Sequence, residues 1–296
     1  MKIRYLLLVM LVTSASALAA KIPMQVKKSV VFVFAKDSSS RLSPLGTGFF
    51  VLLRTNQNTD TANFGYLVTS KNVLKRIDGS FYDTVYIRIN RKEGYSDTLI
   101  IPLVQKGVRR YFLHPDSTVD LAVIPAYPDL NRYDLLFIPF GMIAQMDFFK
   151  KENLGEGDEV FHIGMLSAHI GMFKNIPIVR FGKVAQLSEE KYMLGKSYTE
   201  LFLVETAITP GSMGSPLYYY APASKDTGSG TLPAKFFLTG IISGSYGEVR
   251  PERTKNDTGG LVGVVPAYKL SELLNVPGIS QEREKEFTRM QNAKSK

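Results

Sequence analysis

The chain has 296 residues, 45% of them hydrophobic, enough to bury one large core or two packed halves and far from a disordered composition. It contains no cysteine, which excludes disulfide staples, cysteine nucleophiles and thiolate zinc sites. The formal net charge of +9 favours anionic partners, yet no nucleic-acid-binding module is visible.

Residues 1–19 read as a secretory signal peptide. Lys2 and Arg4 form its charged start, and Ala17-Leu18-Ala19 the small-residue cleavage pattern. The apolar stretch from Tyr5 to Val12 is too short to span a bilayer, and no other segment approaches that length. A secreted or periplasmic bacterial protein is therefore expected. Short strand-like runs follow, separated by turn residues as in an all-β sandwich or barrel. Ser29 to Ala35, Gly46 to Leu52, Tyr66 to Thr69, Thr84 to Asn90, Thr98 to Leu103 and Leu121 to Ile124 form a first set. A link rich in proline and aromatics, Pro125 to Lys151, leads to a second. That set comprises Glu159 to Gly164, Pro177 to Leu187, Leu201 to Glu205, Pro216 to Tyr220, Phe236 to Ser243 and Leu261 to Val265. Leu270 to Leu274 closes a short helix, and residues 279–296 form a charged tail whose opposite charges at three and four residue spacing support a helix. Basic residues gather in the first half (Lys71, Lys75, Arg76, Arg88, Arg91, Lys92, Lys106, Arg109, Arg110), either as a solvated face or to attract an acidic partner.

Five stretches carry a family resemblance. Val204-Glu205-Thr206-Ala207-Ile208-Thr209-Pro210-Gly211-Ser212-Met213-Gly214-Ser215-Pro216 resembles the nucleophile loop of trypsin-like serine peptidases of the bacterial HtrA type, with Met213 where the serine stands. Gly65-Tyr66-Leu67-Val68-Thr69-Ser70-Lys71-Asn72-Val73 resembles the segment that carries their catalytic histidine, with Asn72 in its slot. Asp120-Leu121-Ala122-Val123 resembles the strand of the orienting carboxylate. Leu154 to Gly164 and Gly260 to Ala267 resemble the strands that open and close the second barrel. The order Asn72, Asp120, Met213 is that of His, Asp and Ser in the chymotrypsin-like enzymes. The resemblance implies an all-β fold, a trypsin-like double six-stranded β-barrel with a short C-terminal helix. Its first barrel would cover residues 27–135 and its second, with the closing helix, 136–278.

A thioether cannot form an acyl-enzyme and a carboxamide cannot act as general base, so no catalytic residues are expected at the former triad slots Asn72, Asp120 and Met213. Ser212, Ser215 and Lys71 neighbour these slots and offer an alternative Ser–Lys chemistry, but adjacent residues on a tight loop point in different directions. The resemblance implies an oxyanion hole from the N–H groups of Gly211 and Met213. It implies a substrate-pairing edge at Ile242, Ser243 and Gly244, and an uncharged specificity-pocket base at Ala207. Gly211, Ser212, Met213, Ile242, Ser243, Gly244 and Ala207 are thus the expected peptide-binding residues. The expected ligand is a peptide or protein, acidic if the basic face takes part, with no metal, cofactor or nucleic acid. The reading that follows is an exported, inactive serine-protease homologue. An active peptidase with non-standard residues and a purely structural envelope subunit are its alternatives. In such a site the Asn72 and Asp120 side chains should lie within direct or one-water reach, and Met213 should meet apolar atoms.

Overall fold

The computed structural model describes residues 22, 24–57, 60–187, 190–194, 197–221, 224–226, 230–232, 235–246 and 260–294. The expected signal peptide lies outside them. The first half is built on β1 (Val30–Lys36), β2 (Leu42–Gln57), β3 (Asp60–Thr69), β4 (Thr84–Asn90), β5 (Ser96–Pro102), β6 (Phe112–Leu113), β7 (Ala122–Pro125) and β8 (Ile138–Pro139). Their hydrogen-bonded order is β5-β4-β1-β2-β3-β7-β6, with β8 parallel to β2. This path does not close on itself.

The second half uses β9 (Glu159–Gly164), β10 (Ile178–Gln186), β11 (Phe202–Thr206), β12 (Pro216–Ala221), β13 (Lys235–Ser245) and β14 (Leu261–Pro266). They close into a six-stranded barrel in the order β9-β10-β11-β14-β13-β12. The fourth strand returns beside the first, which is a Greek-key connection. A closed barrel and a second, mainly antiparallel sheet, with few helices among the described residues, make the all-β architecture that the motif order implies.

Side-chain alternation explains how the halves join. A strand sends successive side chains to opposite faces, so a strand buried on both faces reads as a continuous apolar run. β1 is such a run. Its Val30, Phe32 and Phe34 pack in the core shared with the barrel, while Val31 and Val33 fill the interior of the first half. β2 does the same with Phe49 and Val51 on one side and Phe50 on the other. The shared core includes Ile163, Val204, Ile241 and Val264 of the barrel, all fully buried.

The C-terminal segment forms two helices, α1 (Tyr268–Leu274) and α2 (Pro277–Lys294). The charged tail is therefore an 18-residue helix. Ile279 and Phe287, eight residues apart on one helical face, are buried. Arg283 donates to the Leu274 carbonyl (2.6 Å), tying α2 back to α1. Among the described residues no helix is long and apolar enough to cross a membrane.

Candidate functional site

The site lies where β2 and β3 of the first half meet the loop between β11 and β12. Thr209-Pro210-Gly211-Ser212 makes a turn in which the Ser212 N–H donates to the Thr209 carbonyl (2.9 Å). Proline followed by a glycine at φ +98° is the signature of a type II turn. Gly214, at φ +81°, brings the backbone against the first half: a Cβ there would sit 2.2 Å from the Thr47 carbonyl oxygen and 2.4 Å from Thr69 Oγ1. Only glycine fits both the dihedral and the space.

Thr47 is the hub of this contact and is fully buried. Its N–H donates to the Met213 carbonyl (2.8 Å), and its hydroxyl donates to the Gly211 carbonyl (2.7 Å). The same hydroxyl accepts from the Met165 N–H (2.8 Å), and the Thr47 carbonyl accepts from the Thr69 hydroxyl (2.7 Å). From the barrel side, the Gly214 N–H donates to the Ile242 carbonyl (2.8 Å), and the Ile242 N–H to Ser215 (2.9 Å). The loop is thus fixed from both halves. The N–H groups of Gly211 and Met213 donate to no acceptor among the described residues. The Met213 side chain is half-buried and packs against the first-half core, as a thioether should.

Asp120 is buried, and its carboxylate is held by three donors. Oδ2 accepts from the hydroxyls of Ser70 (2.6 Å) and Ser243 (2.8 Å). Oδ1 accepts from the main-chain N–H of Asn72 (2.9 Å). Charge-assisted bonds of this kind offset the cost of burying a carboxylate. Here the structure differs from expectation. The Asn72 side chain is exposed and has no hydrogen-bond partner among the described residues; its backbone, not its amide, meets Asp120. The Ser70 hydroxyl instead serves the carboxylate and also caps the short turn Lys71–Leu74 by accepting from Asn72 N–H (3.2 Å). Asn72 and Met213 do share one neighbourhood. A Cβ at Gly46 would lie 2.6 Å from Val73 Cγ2 and 2.8 Å from the Met213 carbonyl.

The Ser212 hydroxyl and the Lys71 ammonium are engaged elsewhere. Ser212 is buried and its Oγ accepts from the Thr209 N–H (3.0 Å). Ser215 is fully buried, without a partner for its Oγ among the described residues. Burial pulls the Lys71 ammonium below the ordinary lysine range, against the pull of the Asp120 charge. That ammonium donates to the carbonyls of Ser117 (2.6 Å) and Val119 (3.3 Å).

The edge of β13 changes character along its length. At Gly240 and Ile241 it pairs with β12 on one side and β14 on the other. Beyond Ile242, whose main chain is taken by Gly214 and Ser215, the strand through Ser245 pairs with β14 alone among the described residues. A Cβ at Gly244 would meet nothing within 4 Å. Ala207 is exposed at the start of the loop, and its carbonyl accepts from His162 Nε2–H (3.3 Å). Burial pushes the His162 imidazole down to about 4, so it is neutral there. Among the described residues, no group of three or more His, Asp or Glu stands in metal-binding proximity.

Sequence reasoning missed Thr47, Ser70 and the second duty of Ser243. Ser70 directly precedes Lys71 and Asn72, so a hydroxyl two residues before Asn72 was the available signal.

No profile of a known protein family and no curated protein matches the chain. Among solved structures it is similar to the protease domain of MamO from Magnetospirillum magneticum in its apo form, at 17% identity and TM-score 0.49, over 84% of this chain and 97% of that one. It is also similar to the active form of the Rv3671c protease from M. tuberculosis, at 15% identity and TM-score 0.43, over 84% of this chain and 80% of that one.

Proposed function

We propose that the protein is an exported, catalytically inactive homologue of a trypsin-like serine endopeptidase that binds an extended peptide segment in its former cleft. The observation that carries this reading is the state of Asp120. Its carboxylate is occupied by two hydroxyls and a main-chain N–H, in a site with neither imidazole nor an accessible nucleophile. Met213 has no proton to transfer, and Ser212 and Ser215 are buried. Lys71 is committed to two carbonyls, so it is not poised to deprotonate a serine.

What remains suits recognition. The Ser243–Ser245 edge supports main-chain pairing with an extended strand, which gives affinity without chemistry. The N–H groups of Gly211 and Met213, without an acceptor among the described residues, suit a carbonyl of the bound peptide. Export rests on the signal-like residues 1–19.

The test is labelling of the purified mature protein with a fluorophosphonate, alongside turnover of casein and a small ester. A triad knockout that keeps an oxyanion hole retains roughly 10³–10⁴-fold acceleration over water, too little to detect in such assays. The expected result is no label and no turnover. Turnover that disappears on Ser212→Ala would refute the reading.

A further inference from the structure

Away from the cleft, a cavity of about 460 Å³ opens between the two halves, within the size range of ligand sites. Its walls come from the N-terminal turn (Met24, Lys27, Lys28), the end of β4 with the following turn (Ile89 to Lys92), and residues 174–177 of the barrel. The barrel segment is fixed rigidly to the first half. The Arg88 guanidinium donates to the carbonyls of Ile170, Gly171 and Met172 (3.2, 2.8 and 3.1 Å). Asn90 and Asn175 bond each other reciprocally: Asn175 N–H to Asn90 Oδ1 (2.7 Å), and Asn90 Nδ2 to the Asn175 carbonyl (3.2 Å).

Three features of the cavity point to one ligand chemistry. Five cationic side chains line it, Lys27, Lys28, Arg91, Lys92 and Lys174, against the single carboxylate of Asp134. Lys28 pairs with Asp134 (2.7 Å), and Arg91 with Glu93 (3.0 Å) and Asp97 (3.6 Å). Lys27, Lys92 and Lys174 have no acidic partner among the described residues, so they favour an anion. The second feature is apolar: Val30, Ile89, Leu135 and Pro177 are buried residues of the lining, suited to a hydrophobic group. The third is Asn175, also in the lining and 4% exposed. Its Nδ2 donates to the Arg88 carbonyl (2.6 Å), which leaves Oδ1 as an acceptor without a donor among the described residues. A buried acceptor of this kind calls for an incoming N–H or O–H.

We propose that this cavity binds a carboxylate that stands next to an acylated amide N–H and an apolar side chain, the end group of a peptide C-terminus or an N-acylated amino acid. The carboxylate meets Lys27, Lys92 and Lys174, the apolar side chain enters among Val30, Ile89 and Leu135, and the amide N–H reaches Asn175 Oδ1. A fatty acid supplies the first two groups and lacks the third.

The experiment uses the mature full-length protein and fluorescence polarisation of a labelled hexapeptide ending in leucine. The free acid should bind, and the C-terminal amide should bind roughly tenfold more weakly or worse. Lys92→Ala with Lys174→Ala, both exposed positions, should weaken the free acid by a similar factor while leaving the melting temperature unchanged. N-acetylleucine as competitor separates the two sources: displacement at concentrations near the peptide's own affinity identifies the end group alone as the ligand, and weak displacement identifies a longer C-terminal segment. Equal binding of acid and amide, or unchanged affinity in the lysine variant, would overturn the proposal. So would displacement by dodecanoate but not by N-acetylleucine, which would mark a lipid site.

Discussion

The two corners of the candidate site are held in different ways. The loop corner, Gly211 to Ser215, rests on glycine turns and cross-half hydrogen bonds, and two of its N–H groups donate to no acceptor among the described residues. The carboxylate corner is closed by side chains, with Ser70 and Ser243 on Oδ2 of Asp120, while the Asn72 side chain is exposed. Main-chain geometry holds the first corner with donors to spare, whereas the buried carboxylate of the second has its acceptors filled, as burial of a charge requires.

The strongest way to break the loop corner is Gly214→Ala. The new Cβ meets the Thr47 carbonyl at 2.2 Å with φ at +81°, so strain and overpacking combine to roughly 3–5 kcal/mol. Chemical denaturation should register this as a lower midpoint with unchanged slope.

Acid should strain the barrel that supports the same loop. His162 titrates near 4 in the folded protein and near 6.5 when unfolded, so between those values the unfolded chain binds more protons. Stability therefore falls as pH drops through that window, by roughly 2–4 kcal/mol once below both values. The fall arises from burial of the imidazole, and His162→Gln should remove the His162 part of the pH dependence measured by thermal unfolding.

Ser70→Ala sharpens the contrast at a smaller cost in stability, about 1.5–3 kcal/mol for one charge-assisted bond. Its value lies in catalysis. The pair Asn72→His and Met213→Ser restores the missing groups, yet a new imidazole N–H competes with Ser70 for Asp120. Adding Ser70→Ala should raise ester hydrolysis roughly tenfold or more over the double variant. Equal rates would show that the carboxylate corner is not what blocks the triad.

The motifs made the framework legible: glycines in a loop, the order of three slots, and strand spacing all follow from local rules. The alternation in β1 showed as an unbroken apolar run, Val30 to Ala35, which is what two buried faces require. Less was legible where partners lie far apart in the chain. Ser70 and Ser243 meet on one carboxylate across 173 residues, and Thr47 reaches Gly211 across 164. Nothing local marks such hydroxyls, because their role is set by how the halves dock. The helix of the tail was partly visible in its charge spacing, but its docking rests on Ile279, Phe287 and the Arg283 bond to Leu274, set among many polar residues.

The central claim is that the cleft recognises a peptide and leaves it intact. Hydrogen exchange read by mass spectrometry, with an extended peptide pool added and its masses followed in the same samples, tests both parts at once. The account predicts slowed exchange at Ser243–Ser245 and at the N–H groups of Gly211 and Met213, with every peptide mass unchanged. Cleaved peptides, or unaltered exchange at both segments while peptide is bound elsewhere, would contradict it.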